Sequence, residues 1–199
     1  ETEEGRGLFT KLITSADFLL ESFPPGYLDS LGLSYAKLSS LNPGLIMTSV
    51  TPYGQTGPYA SYKATDMVSW AMGGNQFITG DSDRPPVRIS FPQAELHAAA
   101  QAAAGSMVAF WHRQMTGVGQ HVDVSIQISV VWTLINASTF PPLRGLNVER
   151  AGVYRDMGGM SRKNVFECKD GYVSALVSGG PIARRSMDPL SQWMEEEGL

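Results

Sequence analysis

One carboxylate, Glu95, stands where the sequence could place a nucleophile. It follows a strand-like run and Pro92, and it opens an alanine-rich stretch that predicts a helix to about Gln114. The helix dipole stabilises the ionised form of an acid in the first turn. An ionised carboxylate can attack an activated carbonyl carbon. First-turn glutamates are also common because the dipole alone contributes about 0.3 to 1 kcal/mol, so position leaves a catalytic and a structural interpretation open.

The histidines do not add a metal site or a catalytic dyad. His97, His112 and His121 have no histidine or cysteine at ligand spacing, so no metal centre is predicted. Glu95 and His97 lie two residues apart, and side chains at that spacing on a helix point away from each other. Each histidine is therefore interpreted as structural.

Asp66 and Tyr53 are further polar candidates. Asp66 is predicted to cap a helix over 67–72, in preference to a catalytic role. Tyr53 lies in a loop rich in glycine and proline, where an aromatic ring either packs or lines a ligand groove. The chain contains no Gly-x-Ser-x-Gly elbow and no P-loop, so serine hydrolase and nucleotide triphosphatase chemistry lack a supporting motif.

The bulk composition limits the possible partners. The 199 residues carry 19 acidic and 15 scattered basic side chains, a net charge of -4, so a nucleic-acid partner is not predicted. The single cysteine, Cys168, excludes an internal disulfide and favours a reducing compartment, and we therefore expect a cytoplasmic protein. The first residues resemble no secretory signal, and no stretch reaches the ~20 apolar residues that a membrane helix needs.

The elements that must position these residues follow an α/β pattern. Helical segments alternate with short apolar runs, which predict strands at 17–21, 45–50, 87–91 and 121–126. Ser34 is predicted to cap one of the helices, and another is expected over about 129–138. This order predicts a parallel, doubly wound sheet of Rossmann-like type. Ligands bind at the carboxyl edge of such sheets, where the loop after 45–50 must lie.

A change of composition at residue 140 predicts a domain boundary. Residues 1–140 are interpreted as part of a large domain, 141–163 as a linker, and 164–199 as the start of a smaller α/β domain. The smaller domain is predicted to open with a hairpin, in which Asp170 and Gly171 form the tight turn.

An ordered series of motifs covers about residues 5–130. It comprises Glu21-Ser-Phe-Pro-Pro-Gly, Leu31-Gly-Leu-Ser-Tyr, Leu41-Asn-Pro, Tyr53-Gly-Gln-Thr-Gly-Pro-Tyr, Pro85-Pro-Val-Arg, Pro92-Gln-Ala-Glu-Leu and Thr116-Gly-Val-Gly-Gln-His-Val-Asp-Val-Ser. Together these motifs resemble the class III CoA-transferase family, also called the CaiB/BaiF family. The resemblance implies a Rossmann-like large domain, a smaller α/β domain and two chains interlocked as linked rings. Against that pattern the chain looks like an internal fragment, which we expect to be unstable in isolation.

The resemblance also implies a reaction and its residues. The family carries an aspartate at the position of Glu95, and this aspartate attacks an acyl-CoA thioester to form a mixed anhydride. CoA and an acceptor carboxylic acid then exchange through an enzyme-bound thioester. The same comparison implies that Ser22, Phe23 and Tyr53 lie near bound CoA, which is a substrate and not a permanently bound cofactor. No metal is implied.

The departures from the family keep two alternatives open. Glutamate is one methylene longer than aspartate, so a non-catalytic CoA-ester-binding subunit of a heteromeric transferase is one alternative. The other is an acyl-CoA isomerase or racemase working by proton transfer. Racemising members carry a His-Asp pair where this chain has Thr65 and Asp66, and the missing imidazole removes a proton-transfer group. The segment Ser22 to Gly26 also lacks the amide and the cation that the family uses beside CoA.

Overall fold

A parallel sheet lies at the centre of the molecule. The computed structural model describes residues 2–135, 137–156, 161–176 and 181–198. Within these residues, β1 (Phe18–Glu21), β2 (Ile46–Thr51) and β3 (His121–Ser125) form a three-stranded parallel sheet in the order β1-β2-β3. Parallel neighbours need long crossovers, and helices supply them here. The sheet and its flanking helices confirm the predicted α/β, Rossmann-like fold class.

The helices of the described residues lie before, between and after these strands. They are α1 (Glu3–Ile13), α2 (Tyr27–Ser30), α3 (Tyr35–Leu41), α4 (Asp66–Met72), α5 (Ala94–Thr116), α6 (Ile126–Val131), α7 (Phe140–Arg144) and α8 (Pro181–Glu196), with a 3-10 turn at Trp132–Leu134. Ser34 caps α3 as predicted, because its Oγ accepts the Lys37 N–H at 3.3 Å.

Helix α5 covers one face of the sheet through a stripe of small residues. Its buried positions recur mostly every fourth residue, which places them on one side of the helix: Ala94, Ala98, Ala102, Ser106 and Ala109. Ala98 and Ala102 form a buried cluster with Val124 of β3. One turn further on, the Ser106 hydroxyl shares a hydrogen bond of 2.7 Å with the Thr48 hydroxyl of β2. The small side chains let the helix backbone approach the strands closely.

The direction of α5 decides where Glu95 lies. Near the end of the helix, the Arg113 guanidinium forms an ion pair of 2.9 Å with Asp17 and donates to the Gly44 carbonyl at 3.1 Å. Asp17 and Gly44 lie just before β1 and β2, so this end of α5 is at the start of the strands. The helix therefore runs antiparallel to the sheet, and its first turn lies at the carboxyl edge.

The other face of the sheet is covered by α1, α3 and their connections. Ile13, Leu33, Leu38 and Leu45 form a buried cluster there. Asn42 ties the layer together, because its Nδ2 donates to the carbonyls at the end of α1, Ile13 O and Ala16 O, at 2.9 Å each. This layer leaves part of β2 and β3 uncovered, and a cleft forms at that place.

The C-terminal part contains two antiparallel pairs. They are β4 (Tyr154–Asp156) with β5 (Ser161–Lys163), and β6 (Val165–Cys168) with β7 (Gly171–Ser174). The second pair is the hairpin that the sequence predicts. Its register pairs Cys168 with Gly171, so Lys169 and Asp170 form the two-residue loop, and the predicted turn at Asp170 and Gly171 was wrong by one residue.

Two other predictions of secondary structure were wrong. Residues 87–91 form no strand in the described chain: the Val87 N–H donates to the Thr79 carbonyl at 3.0 Å instead of joining a ladder. Prolines on both sides of this run limit its backbone hydrogen bonding. The helix predicted over about 129–138 begins earlier, at Ile126, because Ser125 caps it directly after β3. Ile135, with φ of 52°, ends the helical backbone, and residue 136 lies outside the described residues.

Candidate active site

The four residues predicted for catalysis and CoA binding lie at the same edge of the sheet. Ser22 and Phe23 follow β1 directly, and Tyr53 comes two residues after β2. Glu95 is in the first turn of α5, which begins at this edge because the helix runs antiparallel to the strands. In a parallel α/β sheet this edge is where ligands bind. The fold therefore places at one edge of the sheet residues that are up to 73 positions apart in sequence.

The Glu95 side chain is exposed. It follows Ala94, which is fully buried, so the helix is anchored immediately beside an accessible carboxylate. Among the residues that the structure describes, no hydrogen-bond or ion-pair partner is found for this carboxylate. A carboxylate in this position is accessible to an electrophile.

Asp66 caps a helix, but not the helix that the sequence predicts. Helix α4 begins at Asp66 itself, and its N-cap residue, Thr65, makes no side-chain cap. The Oδ1 atom of Asp66 instead accepts the Ala94 N–H at 2.8 Å. The prediction was wrong because it considered only neighbours in the chain, whereas the donor comes from the start of α5. The second oxygen, Oδ2, is buried and has no partner among the described residues.

Helix α4 contacts the start of α5 a second time through Trp70. This indole is 2% exposed and packs in a cluster with Ala94 and Val130. Its ring lies 5.8 Å from the ring of His97, centroid to centroid. The contact agrees with the structural interpretation of His97, which packs against α4.

The loop after β2 presents a group of tyrosines. The Tyr53 ring lies 6.1 Å from Tyr59 and 6.4 Å from Tyr62, and the last two lie 5.4 Å apart. Both oxygens of Asp123 accept the Gln55 N–H, at 3.1 and 2.9 Å, and fix the loop against β3. Tyr62 was not among the predicted site residues, although three tyrosines within ten residues after a strand indicate an aromatic cluster.

The segment after β1 is held by its own side chains. The Phe23 N–H donates to Glu21 Oε2 at 2.7 Å, and the Phe23 ring lies 4.9 Å from that of Tyr27. Gly26 adopts φ of 81°, which other residues rarely adopt and which turns the chain into α2. Ser22 and Phe23 are both exposed at this turn.

A cleft of about 570 Å³ opens on the face opposite α5. Its lining includes Glu21, Pro25, Tyr35, Gln55 and His121. His121 Nε2 lies 2.8 Å from the hydroxyl of buried Ser49, and its ring stacks on Tyr35 at 5.2 Å. Burial raises the pKa of the Tyr35 phenol above its ordinary value. None of the four predicted residues is among the described residues that line this cleft.

In the described part of the chain, no group of three or more His, Cys, Asp or Glu side chains is arranged to hold a metal ion. Among the same residues, none of the helices combines the length and the apolar character needed to cross a membrane.

Comparison with known proteins gives several similar CoA-transferases. The chain is 43% identical, over its whole length, to succinyl-CoA:(R)-benzylsuccinate CoA-transferase subunit BbsE of Thauera aromatica, and covers 47% of that protein. It is 39% identical over 85% of its length to succinyl-CoA--D-citramalate CoA-transferase of Chloroflexus aurantiacus, covering 42% of it. The chain thus spans less than half the length of these relatives.

Solved structures and a family model agree with these similarities. A CAIB/BAIF family protein from Brucella suis superimposes with a TM-score of 0.76 at 33% identity, over 86% of this chain and 45% of that one. The model of CoA-transferase family III matches residues 1–196. With this match over nearly every residue, and with a fold shared with a CaiB/BaiF protein, the chain belongs to CoA-transferase family III.

Proposed function

We propose that the chain carries the nucleophile of an acyl-CoA:carboxylate CoA-transferase, and that Glu95 is this nucleophile. The observation that supports the proposal best is the exposed Glu95 carboxylate in the first turn of α5, at the carboxyl edge of the sheet, with no partner among the described residues. Membership of the family and relatives that are CoA-transferases support the same chemistry.

The reaction uses one carboxylate twice. A Glu95 oxygen attacks the thioester carbonyl carbon of the donor, and CoA leaves as a thiolate while a mixed anhydride forms. The thiolate then attacks the Glu95 carbonyl carbon, the donor acid leaves as a carboxylate, and Glu95 becomes an enzyme-bound thioester. The acceptor carboxylate attacks this thioester and releases CoA thiolate again. In the last step the thiolate attacks the acceptor's acyl carbon, which yields the new acyl-CoA and restores Glu95.

Ser22, Phe23 and Tyr53 are proposed to contact CoA. The exposed Phe23 ring and the tyrosines after β2 offer flat surfaces for the adenine or the pantetheine arm, and the Ser22 hydroxyl can donate to a phosphate oxygen. CoA enters and leaves as part of the substrates. A permanently bound cofactor is not part of the proposal.

The remaining proposals concern the whole protein. The other substrate is a carboxylic acid, and two chains form an interlocked homodimer or a heteromer. The heteromer is included because one relative is named as a subunit of its transferase. The division into 1–140, 141–163 and 164–199 and the cytoplasmic location stay predictions.

A non-catalytic CoA-ester-binding subunit is the second candidate. It is favoured by the glutamate at the position where the family carries an aspartate, because a displacement of about 1 Å can reduce a rate about 100-fold. The isomerase alternative has less support, since Thr65 stands at the position of the family's histidine. Exchange of deuterium at the α-carbon of an acyl-CoA, without any acceptor acid, would identify an isomerase.

Covalent trapping tests the nucleophile. The intact protein is incubated with succinyl-CoA and hydroxylamine, and we expect mass spectrometry of its peptides to find a hydroxamate at Glu95. Glu95→Gln is expected to lose the hydroxamate and to lower turnover more than about a thousandfold. Glu4→Gln is the matched control, because Glu4 is also an exposed first-turn glutamate, in α1.

Three outcomes separate the candidates. A hydroxamate at Glu95 supports the transferase. Unmodified Glu95 together with full turnover in Glu95→Gln contradicts it. If the parent protein shows no turnover and Glu95→Asp becomes active, the protein is the non-catalytic CoA-ester-binding subunit.

A further inference from the structure

Asp66 joins two helices at the residue next to Glu95. The Ala94 N–H, which donates to Asp66 Oδ1 at 2.8 Å, is the first backbone donor of α5. Ala94 is 0% exposed, so water is not available to replace this acceptor. A buried N–H group without an acceptor is costly, and the bond therefore determines where the first turn of α5 starts.

The local sequence does not supply this cap. Gln93 is the N-cap residue of α5, and its side chain makes no capping bond. Its backbone, with φ of -127° and ψ of -22°, is also outside the extended conformation that most N-cap residues adopt. The first turn thus depends on an acceptor from 28 residues earlier in the chain.

Glu95 lies between the two points at which α4 holds α5. Asp66 binds the backbone at Ala94, and Trp70, one turn later in α4, contacts the ring of His97. The position of the Glu95 Cα and the direction of its Cα–Cβ bond follow from these two contacts. The carboxylate itself stays exposed.

We propose that Asp66 is a positioning residue for the Glu95 nucleophile. This inference rests on the proposed function, in which Glu95 attacks the thioester. Asp66 acts through the backbone of α5: it sets the distance between the Glu95 oxygen and the thioester carbon and does not touch the substrate. A displacement of about 1 Å at a reacting atom lowers a rate about 100-fold, so this bond has a large effect on kcat.

Two conservative variants of Asp66 separate geometry from charge. Asp66→Asn keeps an oxygen that can accept the Ala94 N–H and removes the charge. Asp66→Glu keeps the charge and moves the carboxylate by one methylene. In the intact protein we expect Asp66→Asn to keep kcat within about threefold, and Asp66→Glu and Asp66→Ala to lower kcat about 10- to 100-fold. The KM for the acyl-CoA is expected to change less than about threefold in all three variants. Asp83→Ala serves as the matched control, because Asp83 lies on an exposed turn and its side chain is 77% exposed.

The outcomes distinguish this inference from the proposed function. The positioning role is overturned if Asp66→Glu and Asp66→Ala keep the wild-type kcat while Glu95→Gln abolishes turnover. In that case the role of Glu95 as nucleophile still holds. A loss in Asp66→Asn as large as in Asp66→Glu also overturns it, because charge would then be the property required. Full turnover in Glu95→Gln overturns the proposed function itself. If Asp66→Ala does not fold, the comparison between Asp66→Asn and Asp66→Glu decides.

Discussion

A carboxylate that acts as a nucleophile must be ionised, accessible and held in place, and different residues meet these conditions at Glu95. The first turn of α5 places the carboxylate at the positive end of the helix dipole, and the exposed position gives access. Neither property holds the side chain in place. That requirement falls on its neighbours in the turn, Ala94 and His97, which α4 contacts. At the scale of single residues, reactivity and placement are therefore separate properties.

Arg113 anchors the opposite end of the same helix. Besides its bonds to Asp17 and Gly44, its guanidinium lies 4.9 Å from the centre of the Phe110 ring. A lysine cannot reproduce this planar set of contacts, so Arg113→Lys is expected to lower the free energy of unfolding by about 1 to 3 kcal/mol. Urea denaturation measures the change.

The comparison variant for Arg113 is Asp17→Asn. The Asp17 side chain is 70% exposed whereas that of Arg113 is 14% exposed, so this change is expected to cost less than about 1 kcal/mol. Equal losses in the two variants would contradict the interpretation, because they would show that the ion pair and not the carbonyl and ring contacts provides the stability.

At the scale of elements, α5 connects the core to the site. The helix packs on β2 and β3 with small side chains, and its start reaches the edge where β1 and β2 end. The hydroxyl pair of Ser106 and Thr48 is a polar contact inside this packing, and both residues are buried. A buried hydroxyl that loses its partner costs more than the bond itself contributes.

A double-mutant cycle tests this pair. Ser106→Ala and Thr48→Val are each expected to lower the free energy of unfolding by about 1 to 3 kcal/mol, because each leaves one buried hydroxyl unpaired. The double variant is expected to lose less than the sum of the single losses. Thermal or urea denaturation gives the values, with Ser40→Ala at an exposed position of α3 as a control. Strict additivity would contradict a direct interaction.

At the scale of the whole molecule, the outer side of α5 is apolar and exposed. Large side chains follow one another along its second half: Met107, Val108, Trp111 and Met115. Trp132 after α6 is also exposed, by 71%. Exposed apolar patches of this kind favour association. The relatives are more than twice as long as this chain, so more than half of their length has no counterpart in it.

The 199-residue chain by itself is therefore expected to self-associate at micromolar concentration. Charged residues on this surface should reduce the association, because they must be desolvated when the surface is covered. Sedimentation velocity measures the association of three proteins. They are the parent chain, the double variant Trp111→Glu with Met115→Lys, and the control Leu143→Glu on α7. Leu143 is an exposed apolar residue outside α5. A monomeric parent chain, or equal effects of the two sets of changes, would contradict the prediction.

Patterns between near neighbours predicted much of this fold. The positions of the three strands, the Ser34 cap and the start of α5 beside Glu95 were predicted from patterns of a few consecutive residues, and the structure confirms them. Residues 87–91 have the apolar pattern of a strand, but no partner strand pairs with them in the described chain. Strand formation needs a partner, and a single-sequence pattern contains no information about one.

The sequence alone determined the α/β class, the first-turn carboxylate at residue 95 and the ordered motifs of the family, because helix periodicity, capping and turn chemistry act over short distances. The tertiary structure decided what surrounds that carboxylate. It made Asp66 the cap of α5 instead of α4, and it grouped three tyrosines beside the strand ends. These contacts arise only when the chain packs, since a buried donor takes the nearest acceptor in space, whatever its distance in sequence.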